Sequence, residues 1–170
     1  MPQSPSMTAP RFDARLDWEN VPIGMEHRDV AAVAVDSEDR VYLFTRHPHV
    51  VMVYDRSGKF LNSWGEGIFT MAHGLTIGPD DRVYCVDNMD HSIRVTTLDG
   101  TPLMTLGVPG EPSDTGYVQK DKIDVHLCEC IGHPGGPFNG CTNLAVAPNG
   151  DLFVADGYRN CRVHHFTADG

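Results

Sequence analysis

Apolar positions along this chain come in short alternating runs instead of recurring every three or four residues, a pattern that predicts strands and not helices. In VAVDSEDRVYLFTRHPHVVMVYDRSGKFLNSWG, residues 33–65, such runs are separated by turns rich in Asp, Ser and Gly. Residues 75–107, LTIGPDDRVYCVDNMDHSIRVTTLDGTPLMTLG, repeat the pattern without a gap at an offset of 42 positions. A third copy, LAVAPNGDLFVADGYRNCRVHHFTADG, begins at Leu144. The spacing predicts strands near 30–35, 40–45, 50–55 and 59–64 in the first copy and near 73–77, 82–87, 92–97 and 102–106 in the second. The third supplies strands near 142–146, 151–155 and 161–167.

A period of roughly 40–45 residues with several short strands per unit is the sequence mark of propeller blades. The expected fold is therefore all-β, an NHL-type β-propeller of about three blades, near 27–66, 71–107 and 141–170, with a long loop over 108–140. Residues 1–26 read as a partly disordered lead in which 13–19 would form an outer strand of a last blade. Because propellers usually close with 4–8 blades, three copies are expected to need either further blades, to a total near six, or self-association to close the ring.

The repeat also sorts residues by role. Val33, Leu75 and Leu144, with Val35, Ile77 and Val146, alternate on the innermost strand, and Tyr42, Tyr84 and Phe153 do the same on the second, as packing between blades requires. Three residues break the pattern. His73 aligns with Ala31 and Thr142, Arg46 with Asn88 and Gly157, and Tyr158 lies in a turn one residue longer than its counterparts. In an antiparallel meander the start of the first strand and the end of the second share an edge, so all three residues are expected on one face, around the channel mouth, where an imidazole, a guanidinium and a phenol would make a candidate active site. The bland alternatives are a satisfied histidine, a surface ion pair and a packed turn aromatic.

Charge and cysteine content narrow the partners. The formal net charge of −10 argues against nucleic acid or an anionic membrane as partner. No apolar run reaches the ~20 residues of a spanning helix, and the first residues carry no apolar secretory core, so a cytoplasmic protein with reduced thiols is expected. Five cysteines, an odd number, do not suggest a disulfide framework. A second candidate cluster, His126, Cys128, Cys130 and His133, carries metal-ligand residue types, although its C-x-C pair is tighter than usual zinc spacing. His164 and His165 read as outer-strand surface. There is no G-x-S-x-G, P-loop or G-x-G-x-x-G motif.

The stretches VAVDSEDRVYLFTRH, AHGLTIGPDDRVYCVD and PFNGCTNLAVAPNGDLFVADGYRNCRVHHF resemble successive NHL-type blades of the six-bladed peptidyl-α-hydroxyglycine α-amidating lyases, over the first half of that propeller. The resemblance implies zinc-dependent carbon–nitrogen cleavage of a small-molecule or peptide C-terminal substrate to an amide and glyoxylate. By motif, His73 of HGL would be a zinc ligand, Arg46 the active-site arginine, and Tyr158 of DGY the catalytic tyrosine. The backbone carbonyls of Val33 and Leu75 would help to hold a structural calcium. Other zinc histidines of that family belong to later blades. Two other readings stand beside the lyase: a non-enzymatic NHL-repeat binding scaffold and a lactonase-like propeller hydrolase.

Overall fold

The computed structural model describes residues 11–48, 50–119 and 127–170. The four-strand runs of the first copy become β1 (Val30–Val35), β2 (Val41–Thr45), β3 (Val51–Tyr54) and β4 (Phe60–Trp64), paired in sequence order as one antiparallel sheet. The second copy forms β5 (Ala72–Ile77), β6 (Val83–Asp87), β7 (Ser92–Thr96) and β8 (Pro102–Leu106) in the same order. The third forms a three-stranded sheet from β9 (Asn143–Val146), β10 (Leu152–Asp156) and β11 (Arg162–Phe166). Apart from a short 3-10 turn at Leu127–Cys130, the described elements are strands, and the protein is an all-β partial propeller of three blades. None of its described helices is long and apolar enough to cross a membrane.

The innermost strands β1, β5 and β9 stand side by side, and the sheets pack face to face through two apolar junctions. Tyr42, Phe44, Val51 and Val53 of the first blade meet Ala72, Leu75, Val83 and Cys85 of the second. Tyr84, Val86, Ile93 and Val95 of the second meet Leu144, Leu152 and Val154 of the third, together with Phe138 and Cys141. Full burial of side chains of this size stabilises by about 1.5–3 kcal/mol each, so these junctions are the main cohesive force between sheets. The outermost faces lack such cover. Val33 is 60% exposed where its counterparts Leu75 and Leu144 are 6% and 4%, and Phe153 is 42% exposed where Tyr42 and Tyr84 are 1% and 3%. One residue pattern is buried inside and bare at both ends.

Residues 11–19 form no strand. This segment lies on the first blade: the Trp18 indole donates to Arg56 O at 3.1 Å, its ring lies 5.7 Å from that of Tyr54, and Asn20 bridges Lys59. Trp18 and Met25 thereby cover Leu43, Met52 and Tyr54, a third small apolar cluster.

The long link between the second and third blades returns to a place the repeat defines. Gly65 and Gly107 both adopt positive φ, and a Cβ on either would fall 2.9 Å from the ring of Phe69 or Phe138 respectively. Gly65 precedes Phe69 by four residues, whereas Gly107 precedes Phe138 by thirty-one. The insertion is thus spliced between the two halves of a glycine–phenylalanine contact that both junctions share.

Candidate functional site

His73 owes its direction to a bulge. β5 pairs with β6 as Ala72↔Asp87 and then Gly74↔Val86, so His73 is the extra residue between them; Ala31 holds the same place in β1. A bulged residue leaves the alternation of its strand and re-aims its side chain. Here the ring turns toward the third blade, with Nδ1 2.9 Å from Thr142 O and Nε2 3.4 Å from the Tyr158 hydroxyl. A carbonyl only accepts, so Nδ1 carries the hydrogen, and in the neutral ring Nε2 keeps its lone pair facing Tyr158. The two rings meet edge to face at 5.6 Å and 72°.

Gly74 permits that approach. Its φ is ordinary, but a Cβ there would stand 2.5 Å from Thr142 O and 3.0 Å from Asn143 Cα. Only a glycine lets β5 come close enough to β9 for the His73 ring to reach the Thr142 carbonyl.

Arg46 lies one residue beyond β2, and its Nε donates to Ala72 O at 3.0 Å, next to His73 in the chain. Asn88, its counterpart beyond β6, donates from Nδ2 to Cys141 O at 3.0 Å. Two different side chains therefore make one repeated link to the carbonyl that opens the next blade. The guanidinium has nitrogens to spare after that link, as the amide does not. Beside Arg46 lies a cavity of about 240 Å3 lined also by Thr45, Pro48, Phe69 and Thr70.

Two buried carboxylates that the sequence reading passed over set the loops that launch these residues. Asp87 accepts from the amides of Thr70 and Met71, at 2.6 and 2.9 Å, just before His73. Asp156 accepts from the amide of Asn139 and from Asn160 Nδ2 and His164 Nε2, just before Thr142 and Tyr158. Both close the second strand of their blade, where the first blade has Thr45. Their recurrence in VD and AD was the available signal.

Other candidates fall elsewhere. Val33 and Leu75 hold equivalent places on β1 and β5. Among the described residues no three His, Cys, Asp or Glu side chains come together to hold a metal. His126 lies outside the described residues, Cys130 is buried, and His133 is exposed with Nε2 3.6 Å from Asp114. The outer-strand histidines divide: His165 sits 2.8 Å from Asp151 and stacks on Phe153, while His164 is turned inward onto Asp156 and the ring of Phe138. His164 is therefore a junction residue and not sheet surface. Buried Cys141 has its thiol pushed up to about 12, first by burial and then by Asp156 and Asp87, which marks it as an inert core residue.

Comparison with known proteins bears on the fold and on the family that the chain resembles. Residues 138–166 match the NHL repeat. Peptidyl-alpha-hydroxyglycine alpha-amidating lyase 1 of Drosophila melanogaster is 31% identical over 128 residues, covering 74% of this chain and 20% of its own length. A probable peptidyl-alpha-hydroxyglycine alpha-amidating lyase of Caenorhabditis elegans is 32% identical over 124 residues, covering 71% of this chain and 29% of its own. This chain thus spans between a fifth and a third of the length of these relatives. Among solved structures, a streptogramin B lyase superposes with a TM-score of 0.58 at 12% identity, over 87% of this chain and 40% of that one. That likeness bears on the fold.

Proposed function

We propose, for a chain that carries an NHL repeat and is similar to peptidyl-α-hydroxyglycine α-amidating lyases over most of its length, that it supplies part of the active face of a carbon–nitrogen lyase acting on peptidyl-α-hydroxyglycine-type substrates. The observation that carries the reading is the 3.4 Å contact between His73 Nε2 and the Tyr158 hydroxyl, with Arg46 bonded to the residue preceding His73. In the reaction the substrate's α-hydroxyl gives up its proton as its oxygen becomes the aldehyde carbonyl of glyoxylate, the carbon–nitrogen bond breaks with its electron pair passing to the amide nitrogen, and that nitrogen takes up one proton in turn, so that the products are the amide and glyoxylate. Tyr158 as phenolate would take the hydroxyl proton. Arg46, steadied through Nε, would offer its remaining N–H groups to the substrate carboxylate as a fork.

His73 alone does not make a zinc site, since catalytic zinc takes three protein ligands. Zinc, with His73 Nε2 as one ligand, and the calcium expected at the Val33 and Leu75 carbonyls would therefore belong to a closed ring with donors outside these residues. The ring would be completed by further blades or by a second copy covering Val33 and Phe153.

The test is glyoxylate release from an N-acylated peptidyl-α-hydroxyglycine by the ring-complete protein. Amide and glyoxylate should form in equal amounts, and Tyr158→Phe should abolish both while keeping bound zinc. His73→Ala should lower the zinc content. Unchanged turnover in Tyr158→Phe would overturn the assignment.

A further inference from the structure

The turn that carries Tyr158 runs from β10 to β11 and is one residue longer than its counterparts. What fixes it comes from the insertion between the second and third blades. Asn160, 2% exposed, is held by both backbone groups of one residue: Gly135 N donates to its Oδ1 at 3.0 Å, and its Nδ2 donates to Gly135 O at 2.9 Å. The same Nδ2 reaches Asp156 Oδ2 at 2.8 Å. Arg159 lays its guanidinium over the Tyr117 ring, 5.3 Å from the centroid. Gly140 packs so closely that a Cβ on it would stand 3.2 Å from Tyr158 Cβ.

The insertion is itself braced where it makes these contacts. Ser113 N donates to Phe138 O, Asn139 Nδ2 donates to Ser113 O and Thr115 Oγ1, and the amides of Gly132 and His133 both donate to Thr115 O. A Cβ on Gly135 would fall 2.5 Å from Asp114 O, so the residue that grips Asn160 is seated against residues 113–115. Phe138, buried among the junction's apolar side chains, ties the whole to the core.

We infer that residues 113–119 and 132–140 form a clamp that positions the Tyr158 hydroxyl against His73, with Asn160, Arg159 and Tyr117 as its positioning residues. The inference rests on the reading of Tyr158 as the proton carrier. The geometry explains why an insertion of this length ends back at a shared scaffold contact: it leaves the repeat, grips the catalytic turn from outside, and rejoins at Phe138. A displacement of about 1 Å would break a contact already at 3.4 Å, and misplacement on that scale costs roughly a hundredfold in rate.

The test reads the ring contact directly, on the chain with carbon-labelled tyrosine and histidine. The through-space NMR signal between the His73 and Tyr158 rings should be present in the parent chain and should weaken in Arg159→Ala and in Tyr117→Ala, since loss of the cation–π contact shifts the balance between held and released turn by about twofold to fivefold. Arg159→Lys should restore it. The His73 Nδ1 signal bound to Thr142 should stay in place in all three, and so should the melting temperature within a few degrees. Asn160→Asp, which keeps the shape but loses the donor to Gly135 O, gives a second route to the same loss. An undiminished ring contact in both alanine variants, or a loss matched by movement of the His73–Thr142 signal, would overturn the clamp. Turnover of Tyr158→Phe is scored separately: if that variant stays active while the alanine variants lose the ring contact, the clamp stands and the lyase role of Tyr158 fails.

Discussion

The two junctions between blades are built from the same repeat and yet are not alike. Between the first and second blades the seal is hydrocarbon, crossed by Arg46 to Ala72 O and by Ser37, whose amide and hydroxyl donate to the two oxygens of Asp81. Between the second and third, the hydrocarbon is overlaid with a mesh: His73 to Thr142 O, Thr76 Oγ1 to Leu144 O, Asn88 to Cys141 O and the Gly140 amide to His91 Nδ1. Directional bonds fix relative position where apolar contact only fixes separation. The contact between His73 and Tyr158 spans the junction that has the mesh, and the first junction contributes the long-armed Arg46.

The largest test of that contrast is to remove the same aromatic from each side. Phe138 is fully buried against His164 and Phe166, at ring distances of 5.3 and 5.8 Å, whereas Phe69, its counterpart, is partly exposed and leans on Phe44 at 5.0 Å. Phe138→Ala should cost about 3–5 kcal/mol, as a buried cavity does, and Phe69→Ala clearly less. Denaturant unfolding of both variants measures it; equal losses would erase the distinction between the junctions.

A smaller effect is expected from Gly74→Ala. The new methyl would meet the backbone entering β9, at Thr142 O and Asn143 Cα, and backbone cannot step aside as a side chain can. Overpacking of this kind costs about 1–3 kcal/mol, and it should pry β9 from β5 and weaken the His73–Thr142 hydrogen bond. Gly136, where a Cβ would meet nothing within 4 Å, is the control: its alanine variant should leave both stability and the His73 signal unchanged.

Much of this was legible beforehand. Eleven strands fell within a residue or two of their expected places because the alternation of apolar residues is the cause of the sheets. Arg46, His73 and Tyr158 were singled out by what the repeat does not need, and the shared sheet edge sets the His73 ring beside Tyr158 and Arg46 on the carbonyl before His73. Subtraction of the repeat misled where different side chains do one job. Arg46 and Asn88 share no chemistry in the alignment and make the same interblade link. Phe69 and Phe138 are equivalent in space, but the insertion hides the match by separating Phe138 from its glycine. Asp87 and Asp156 were overlooked because a strand-terminal aspartate reads as an ordinary turn residue until its buried partners are known. The bulge at His73 is a register event and leaves no mark in a single sequence.

Asn88→Ala removes one thread of the mesh. The lost hydrogen bond to Cys141 O, partly accessible to water, should cost about 1 kcal/mol. Asn88→Arg, which imports the residue of the first junction, should recover part of it, because the longer side chain would reach the same carbonyl.

The finest discrimination is by pH. His91 is buried, accepts from the Gly140 amide through Nδ1, and is held below the ordinary histidine value of 6.5, first by burial and next by Arg159, with Asp156, Asp90 and Asp87 acting in the opposite sense. A histidine so lowered binds its proton more readily in the unfolded chain. Its contribution to stability is therefore complete above about pH 6.5 and is lost as pH falls below that value toward the folded-state pKa. Protonation at Nδ1 would also abolish the acceptor for Gly140 N. Asparagine tolerates the positive φ of 54° at this position, so His91→Asn should fold and should flatten the stability profile between about pH 7 and 5 relative to the parent. Measured against the intrinsic exchange rate at each pH, the Gly140 amide should lose protection on acidification in the parent and keep it in the variant. The Ser37 amide, bonded to Asp81 across the first junction, should show no such step over the same range, because no imidazole takes part in that link. A common acid response at both amides would mean that the junctions loosen as one unit and that His91 does not set the threshold.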